Sequence, residues 1–184
     1  MPISLHQASI PVFLRALTNL RHVLERGEAF ATEKEIAPEV LLQQRLIVDM
    51  LPLVRNVQIA CDLAKNGACW LAGIEPPKFE DTETTFAQLY ERIDRVLPLI
   101  RGITPDQMDG QEARQVTLQT RAGELTMDAQ SYLLHFSIPN VFFHCTTSYA
   151  ILRVAGVPIG KLDYMGAPAQ AAKPVDAGPA GAAA

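Results

Sequence analysis

The chain has 184 residues, 48% of them hydrophobic and 20% charged, with a formal net charge of −4 at pH 7. That length sets one domain, or one domain with a tail, large enough to bury a core. A mildly acidic balance with scattered Lys and Arg offers no basic patch for nucleic acid or anionic membrane, and no uncharged apolar stretch reaches the roughly 18–20 residues that span a bilayer.

Over residues 4–26, Ile10, Phe13, Leu14, Leu17, Leu20 and Leu24 recur at offsets of three and four, which predicts an amphipathic helix. Pro11 falls in its first turn or kinks it. A looser segment follows, with a short helix near 38–44. The second long helix is predicted over 49–71, capped by Asp49 and stopped by Gly73 and Pro76-Pro77. A third starts at Asp81 or Thr82, with Glu83 in its first turn. Phe86, Leu89, Ile93, Val96, Leu97 and Ile100 form its inner face, and Gly102 ends it.

The period then changes. Val116 and Leu118, then Leu125 and Met127, alternate with polar neighbours around Ala122-Gly123, which predicts a small β-hairpin over 115–127. Asp128 caps a fourth helix that runs to about Ala155, where Gly156 and Pro158 stop it. Pro139 lies inside that helix and should bend it, freeing the carbonyl of His135. Beyond Gly166 the Ala/Pro/Gly-rich composition predicts a disordered tail, so the domain spans 1–166 and the tail 167–184. Four long helices and one hairpin predict an all-α bundle.

Helix four carries the candidate site. It is too apolar for a surface element, yet Asn140, His144 and Thr147 share one face at offsets of four and three. A buried stripe of that kind satisfies its polar groups internally or uses them. A hydrogen-bonded polar network is the leading reading. A weak metal site and metal-free acid/base chemistry by His144 are the alternatives. His135, nine residues earlier, falls on the opposite side and reads as a core or interface histidine, and His6 and His22 read as solvated or capping. Trp70 reads as a core or dimer contact. Cys61, Cys69 and Cys145 form no C-x-x-C pair and fall in apolar segments, which predicts buried free thiols. The N-terminus lacks the basic and apolar regions of a signal peptide, so a cytoplasmic location is expected.

The string Pro139-Asn-Val-Phe-Phe-His144, with Thr147-Ser-Tyr-Ala-Ile-Leu-Arg153 and Gly156-Val-Pro-Ile-Gly-Lys161, resembles an uncharacterised bacterial branch of the DinB-like superfamily. Asp49-Met50, Gln58-Ile-Ala-Cys-Asp62 and Leu71-Ala-Gly73 extend the similarity. The resemblance implies a four-helix bundle of up-down-down-up topology, usually a homodimer. Better-known members hold a divalent metal with three histidines, and some are thiol-cofactor transferases or isomerases. Here Asn140 and His144 stand at the histidine pair of helix four, Thr147 at a following Gln, and Gln58 at the helix-two position.

Amides are weak ligands for zinc or nickel, and the set carries no negative charge unless Asp62, four residues after Gln58, supplies it. A degenerate metal site is therefore expected, with His144, Asn140, Gln58 and Asp62 as candidate ligands. Gln58, Asn140, His144 and Thr147 would line a small-molecule pocket. The rival expectation is a divalent-metal-dependent thiol transferase or hydrolase-like enzyme that uses His144 as its first ligand.

Overall fold

The computed structural model describes residues 3–120 and 123–166. In chain order it contains α1 (Leu5–Glu33), a short α2 (Pro38–Leu42), α3 (Leu53–Leu71), α4 (Phe86–Arg101), a short α5 (Pro105–Met108) and the strands β1 (Gln115–Thr120) and β2 (Gly123–Asp128). One turn of helix, α6 (Ala129–Ser131), then leads through a π-helical segment, Tyr132–Ser137, into α7 (Ile138–Val154), and α8 (Lys161–Met165) closes the described chain. The tail predicted over 167–184 lies outside the described residues.

The fold is mostly helical, as the periodicity predicts. α1 and α3 each pack against both α4 and α7, so the four long helices ring a single core. Phe13, Leu17 and Leu24 of α1 meet Val57 and Cys61 of α3, Leu89 and Ile93 of α4, and Val141 and Leu152 of α7 there, all fully buried or nearly so. Each large apolar side chain buried in this way contributes about 1.5–3 kcal/mol. β1 and β2 pair antiparallel with Val116 opposite Met127 and Leu118 opposite Leu125, so the hairpin forms where the alternation predicts it, with Gly123 paired to Thr120 and not in the turn.

Element boundaries differ where small or charged residues decide them. Ser4 and Gln7 cap each other at the start of α1, Ser4 Oγ accepting from Gln7 N at 3.3 Å. The helix runs past Arg26 to Glu33 because Gly27 and Ala31 prolong its buried face without bulk. A Cβ at Gly27 would meet Leu152 Cδ2 at 2.9 Å, so this glycine lets α7 approach. Pro11 lies beyond the first turn, and the helix continues through it.

α3 starts later than predicted, at Leu53, with Pro52 and not Asp49 at the capping position. α4 also starts later, because Thr85 and Gln88 form its capping box. Asp81 and Glu83 do not open that helix. They pair instead with the buried guanidinium of Arg92 on α4, as described below.

Asp128 Oδ1 accepts from Ser131 N at 2.9 Å, the predicted cap of the final helical run. Pro139 has no N–H to give the His135 carbonyl, and the chain answers with the π-helical turn before it, where the wider ladder absorbs the mismatch. His135 sits exposed on that segment, which overturns the core half of the core-or-interface expectation for it. After α7, Gly156 takes φ +94° and turns the chain back over α1. Among the described residues no helix is long and apolar enough to cross a membrane.

Candidate functional site

α3 carries polar side chains on two faces. On the face towards α7, Asn56 is buried, and its amide nitrogen donates to the carbonyls of Leu51 and Pro52, both at 3.0 Å. Those two bonds fix the amide, so Oδ1 is the atom turned to His144 Nδ1, 2.9 Å away. An amide oxygen only accepts, so Nδ1 carries the proton and Nε2 keeps its lone pair. Burial holds the His144 pKa below the ordinary histidine value, which keeps the ring neutral at pH 7. Phe143 meets its edge, ring centroids 5.1 Å apart.

The neighbours of His144 on α7 bond to their own helix. Asn140 Nδ2 donates to Phe136 O at 2.6 Å, and Thr147 Oγ1 donates to Phe143 O at 2.8 Å. Ser148 Oγ does the same to His144 O at 2.8 Å, so it is not aligned as a nucleophile on the imidazole. Asn140 and Thr147 thus flank His144 one turn away on either side.

Gln58 lies on the other polar face, towards α4. Its Oε1 accepts from Arg55 Nη1 at 2.6 Å and its Nε2 donates to Glu83 at 2.7 Å. Asp62, one turn on, accepts from Arg92 Nη2 at 2.9 Å. Lys65 Nζ stands 3.0 Å from the other Asp62 oxygen, an ion-pair contact without hydrogen-bond alignment, and donates to Pro77 O at 2.6 Å.

Arg92 sits at the centre and is 1% exposed. Besides Asp62 it pairs with Asp81 at 3.0 Å and Glu83 at 2.9 Å, and it donates to Glu80 O at 3.1 Å. Burial alone would lower its pKa, but the hydrogen bond to Glu83 and the charges of Asp62 and Glu83 outweigh that and raise it. Phe79 packs on the cations, with Lys65 Nζ 4.4 Å and Arg95 Cζ 4.1 Å from its ring centre. This network clamps residues 77–83 onto α3 and α4.

The donor set is a poor fit to a divalent cation. Gln58 has both amide atoms engaged, and the Asp62 carboxylate answers Arg92 and Lys65. That leaves His144 Nε2 and the oxygen of Asn140, one good ligand and one weak neutral one. Among the described residues no group of three or more His, Cys, Asp or Glu gathers at ligand spacing. Cys61, Cys69 and Cys145 are free and buried, and burial pushes the Cys145 thiol up to about 12, so none is a ready thiolate.

The sequence pattern overlooked three residues of this region. Asn56, Lys65 and Arg92 all lie on apolar helix faces: Arg92 falls three after Leu89 and four before Val96, and Lys65 four after Cys61 and four before Cys69. A charged residue inside an apolar stripe is the signal that marks Lys65 and Arg92, and Asn56, a neutral amide between Val54 and Val57, carries no comparable signal. Elsewhere, His6 Nε2 meets the Ile103 carbonyl at 3.1 Å, His22 meets Asp163 at 3.2 Å, and Trp70 packs edge-on to Tyr132.

Comparison with known proteins agrees with the fold. Residues 5–165 match the model of a domain of unknown function, DUF1993. The chain is similar to a solved structure, a DinB family member from Shewanella denitrificans, at 37% identity and TM-score 0.84, over 92% of this chain and 96% of that one. No curated protein matches. With nearly the whole folded region matched, the chain belongs to the DUF1993 family, within the DinB-like superfamily.

Proposed function

We propose that this DinB-like protein is a small-molecule-binding bundle in which the metal site has degenerated, leaving a neutral imidazole as its recognition group. The observation that carries this reading is the Asn56–His144 hydrogen bond, which fixes the proton on Nδ1. His144 Nε2 and Asn140 Oδ1 are then two acceptors one helical turn apart, flanked by Thr147. Such a pair suits a ligand that donates hydrogen bonds, such as an amide or amine. Gln58 and Asp62 stand behind this face and stiffen α3 through Arg92.

Three further points belong to the same reading. The 14 residues of the α3–α4 connection, 72–85, reach up to about 46 Å extended, more than the roughly 28 Å of the 19-residue α3. They can return the chain to the starting end, which supports an up-down-down-up order. Phe143 (56% exposed), Ala150 and Val154 (70% exposed) form an apolar stripe along the outside of α7. One helix carrying such a stripe can meet its own copy across a two-fold axis, which supports a homodimer. Three buried free thiols suit a reducing compartment and support a cytoplasmic site.

Nitrogen NMR of the His144 ring, with elemental analysis of protein made without a polyhistidine tag, tests the central claim. The expected result is a neutral Nδ1–H tautomer and no stoichiometric metal. Stoichiometric zinc or nickel, lost in His144→Ala, would establish the metal-dependent enzyme instead. For the homodimer, Phe143→Glu should convert a dimer to a monomer in sedimentation analysis. A wild-type monomer would end that part of the proposal.

A further inference from the structure

Between α1, α7 and α8 lies a cavity of about 280 Å³, apart from the His144 face. Val12, Ala16 and Leu20 line it from α1, at offsets of four, so one stripe of that helix forms a wall. Phe142 and Cys145 line it from α7. Cys145 follows His144 by one residue and so turns about 100° away from it. Ala16 and Cys145 are the small side chains of these two walls, and they leave the space that a larger residue at either position would fill.

Two polar groups of the lining, Arg15 and Tyr164, already hold the cover. Arg15 Nε and Nη2 donate to Met165 O at 3.1 and 2.8 Å, and the Tyr164 hydroxyl meets Thr146 Oγ1 at 2.9 Å. Tyr164 also packs edge-on to Tyr149 at 5.7 Å, and Asp163 meets His22. α8 itself buries no residue. A five-residue helix held by side-chain hydrogen bonds and one ring contact opens at lower free energy than a helix rooted in the core.

We propose that this cavity is a second binding site, for a compact, uncharged and largely apolar molecule the size of a fused ring pair, admitted when α8 lifts. Size supports this class. A cavity of roughly 150 Å³ lined by apolar side chains takes benzene, and one nearly twice as large takes a bicyclic ring. Charge is disfavoured because a buried ion needs a partner, and the Arg15 guanidinium of the wall is engaged with Met165 O, which leaves Asn19 as a neutral hydrogen-bonding group of the lining. The site is independent of the His144 reading and stands or falls separately.

Indole serves as the probe, with the full chain followed by calorimetry and by NMR of the Leu20 and Met165 methyl groups. Saturable one-to-one binding that shifts both methyls is expected. Ala16→Leu, which fills the space from α1, should weaken binding at least tenfold, and Cys145→Leu should do so from α7 should the first variant fail to fold. Tyr164→Ala, which loosens the cover, should speed both association and dissociation. His144→Ala should leave indole binding unchanged, so failure of the His144 reading does not register here. Absence of saturable binding, or undiminished binding in a folded, cavity-filled variant, would overturn the proposal.

Discussion

The two polar faces of α3 do opposite things with their hydrogen-bonding groups. Towards α4, Gln58, Asp62 and Lys65 meet Glu83, Arg92 and the Pro77 carbonyl, Arg92 also pairs with Asp81 and Glu83, and charge is matched by charge. Towards α7, Asn56 meets one neutral imidazole and leaves its second nitrogen without a partner among the described residues. A network whose charges are all paired holds shape, even with Arg92 Nε left without a hydrogen-bond partner among the described residues. A network with one acceptor left open is able to bind something. The residue count of polar groups on a helix therefore says little about function until their partners are known.

Breaking the charged face should have the largest effect. Arg92→Met keeps an apolar chain in place but removes the guanidinium that Asp62, Asp81 and Glu83 share. Removing one side of a buried ion pair typically costs about 3–5 kcal/mol, because the partner charges stay behind. Denaturant unfolding should show a loss of that order, while the His144 tautomer is unchanged. A loss under about 1 kcal/mol would mean that residues 77–83 hold to the bundle without this clamp.

Cutting the neutral face should cost less. Asn56→Ala removes two bonds to the Leu51 and Pro52 carbonyls and leaves the His144 Nδ1–H unmatched. Buried groups left without partners cost about 1–3 kcal/mol. The sharper readout is the ring itself. Without Asn56 to hold it, His144 should populate both tautomers in nitrogen NMR, whereas an unchanged spectrum would show that some other contact orders the ring.

The sequence makes the long helices legible because Leu17, Leu24, Leu89, Ile93 and Val57 repeat at helical offsets and need only a common core. The hairpin is equally legible, since Val116 and Leu118 alternate with Thr117 and Gln119, but its register is not, because Gly123 pairs with Thr120 instead of turning the chain. Helix starts are less so. Asp49 and Asp81 look like caps in isolation, and only the positions of Pro52, Thr85 and Arg92 in space decide otherwise. The candidate site was half legible. Spacing places Asn140, His144 and Thr147 on one face, but it does not choose between Asn56 and Gln58 across the helix interface. Those two are neighbours in sequence and point about 200° apart on α3, a difference that periodicity alone does not tie to a partner.

The smallest effect sharpens the comparison most, because it tests protonation without removing a contact. Burial places the folded-state pKa of His144 below its unfolded value, so the unfolded chain takes up the proton first as pH falls. The sign follows: the contribution of His144 is fully present above about pH 6.5, and it is lost as pH falls through the folded-state pKa below that. Asp128 and Asp163, whose carboxyls are held low by backbone and side-chain hydrogen bonds, titrate at lower pH and do not enter this range. Urea titrations from pH 7.5 down to pH 5 should therefore show wild-type stability declining more steeply than that of His144→Gln, whose amide keeps a donor near Asn56 but does not titrate. Equal slopes in the two proteins would mean that the imidazole is solvated in the folded state, and the contrast between the open and closed faces of α3 would lose its chemical basis.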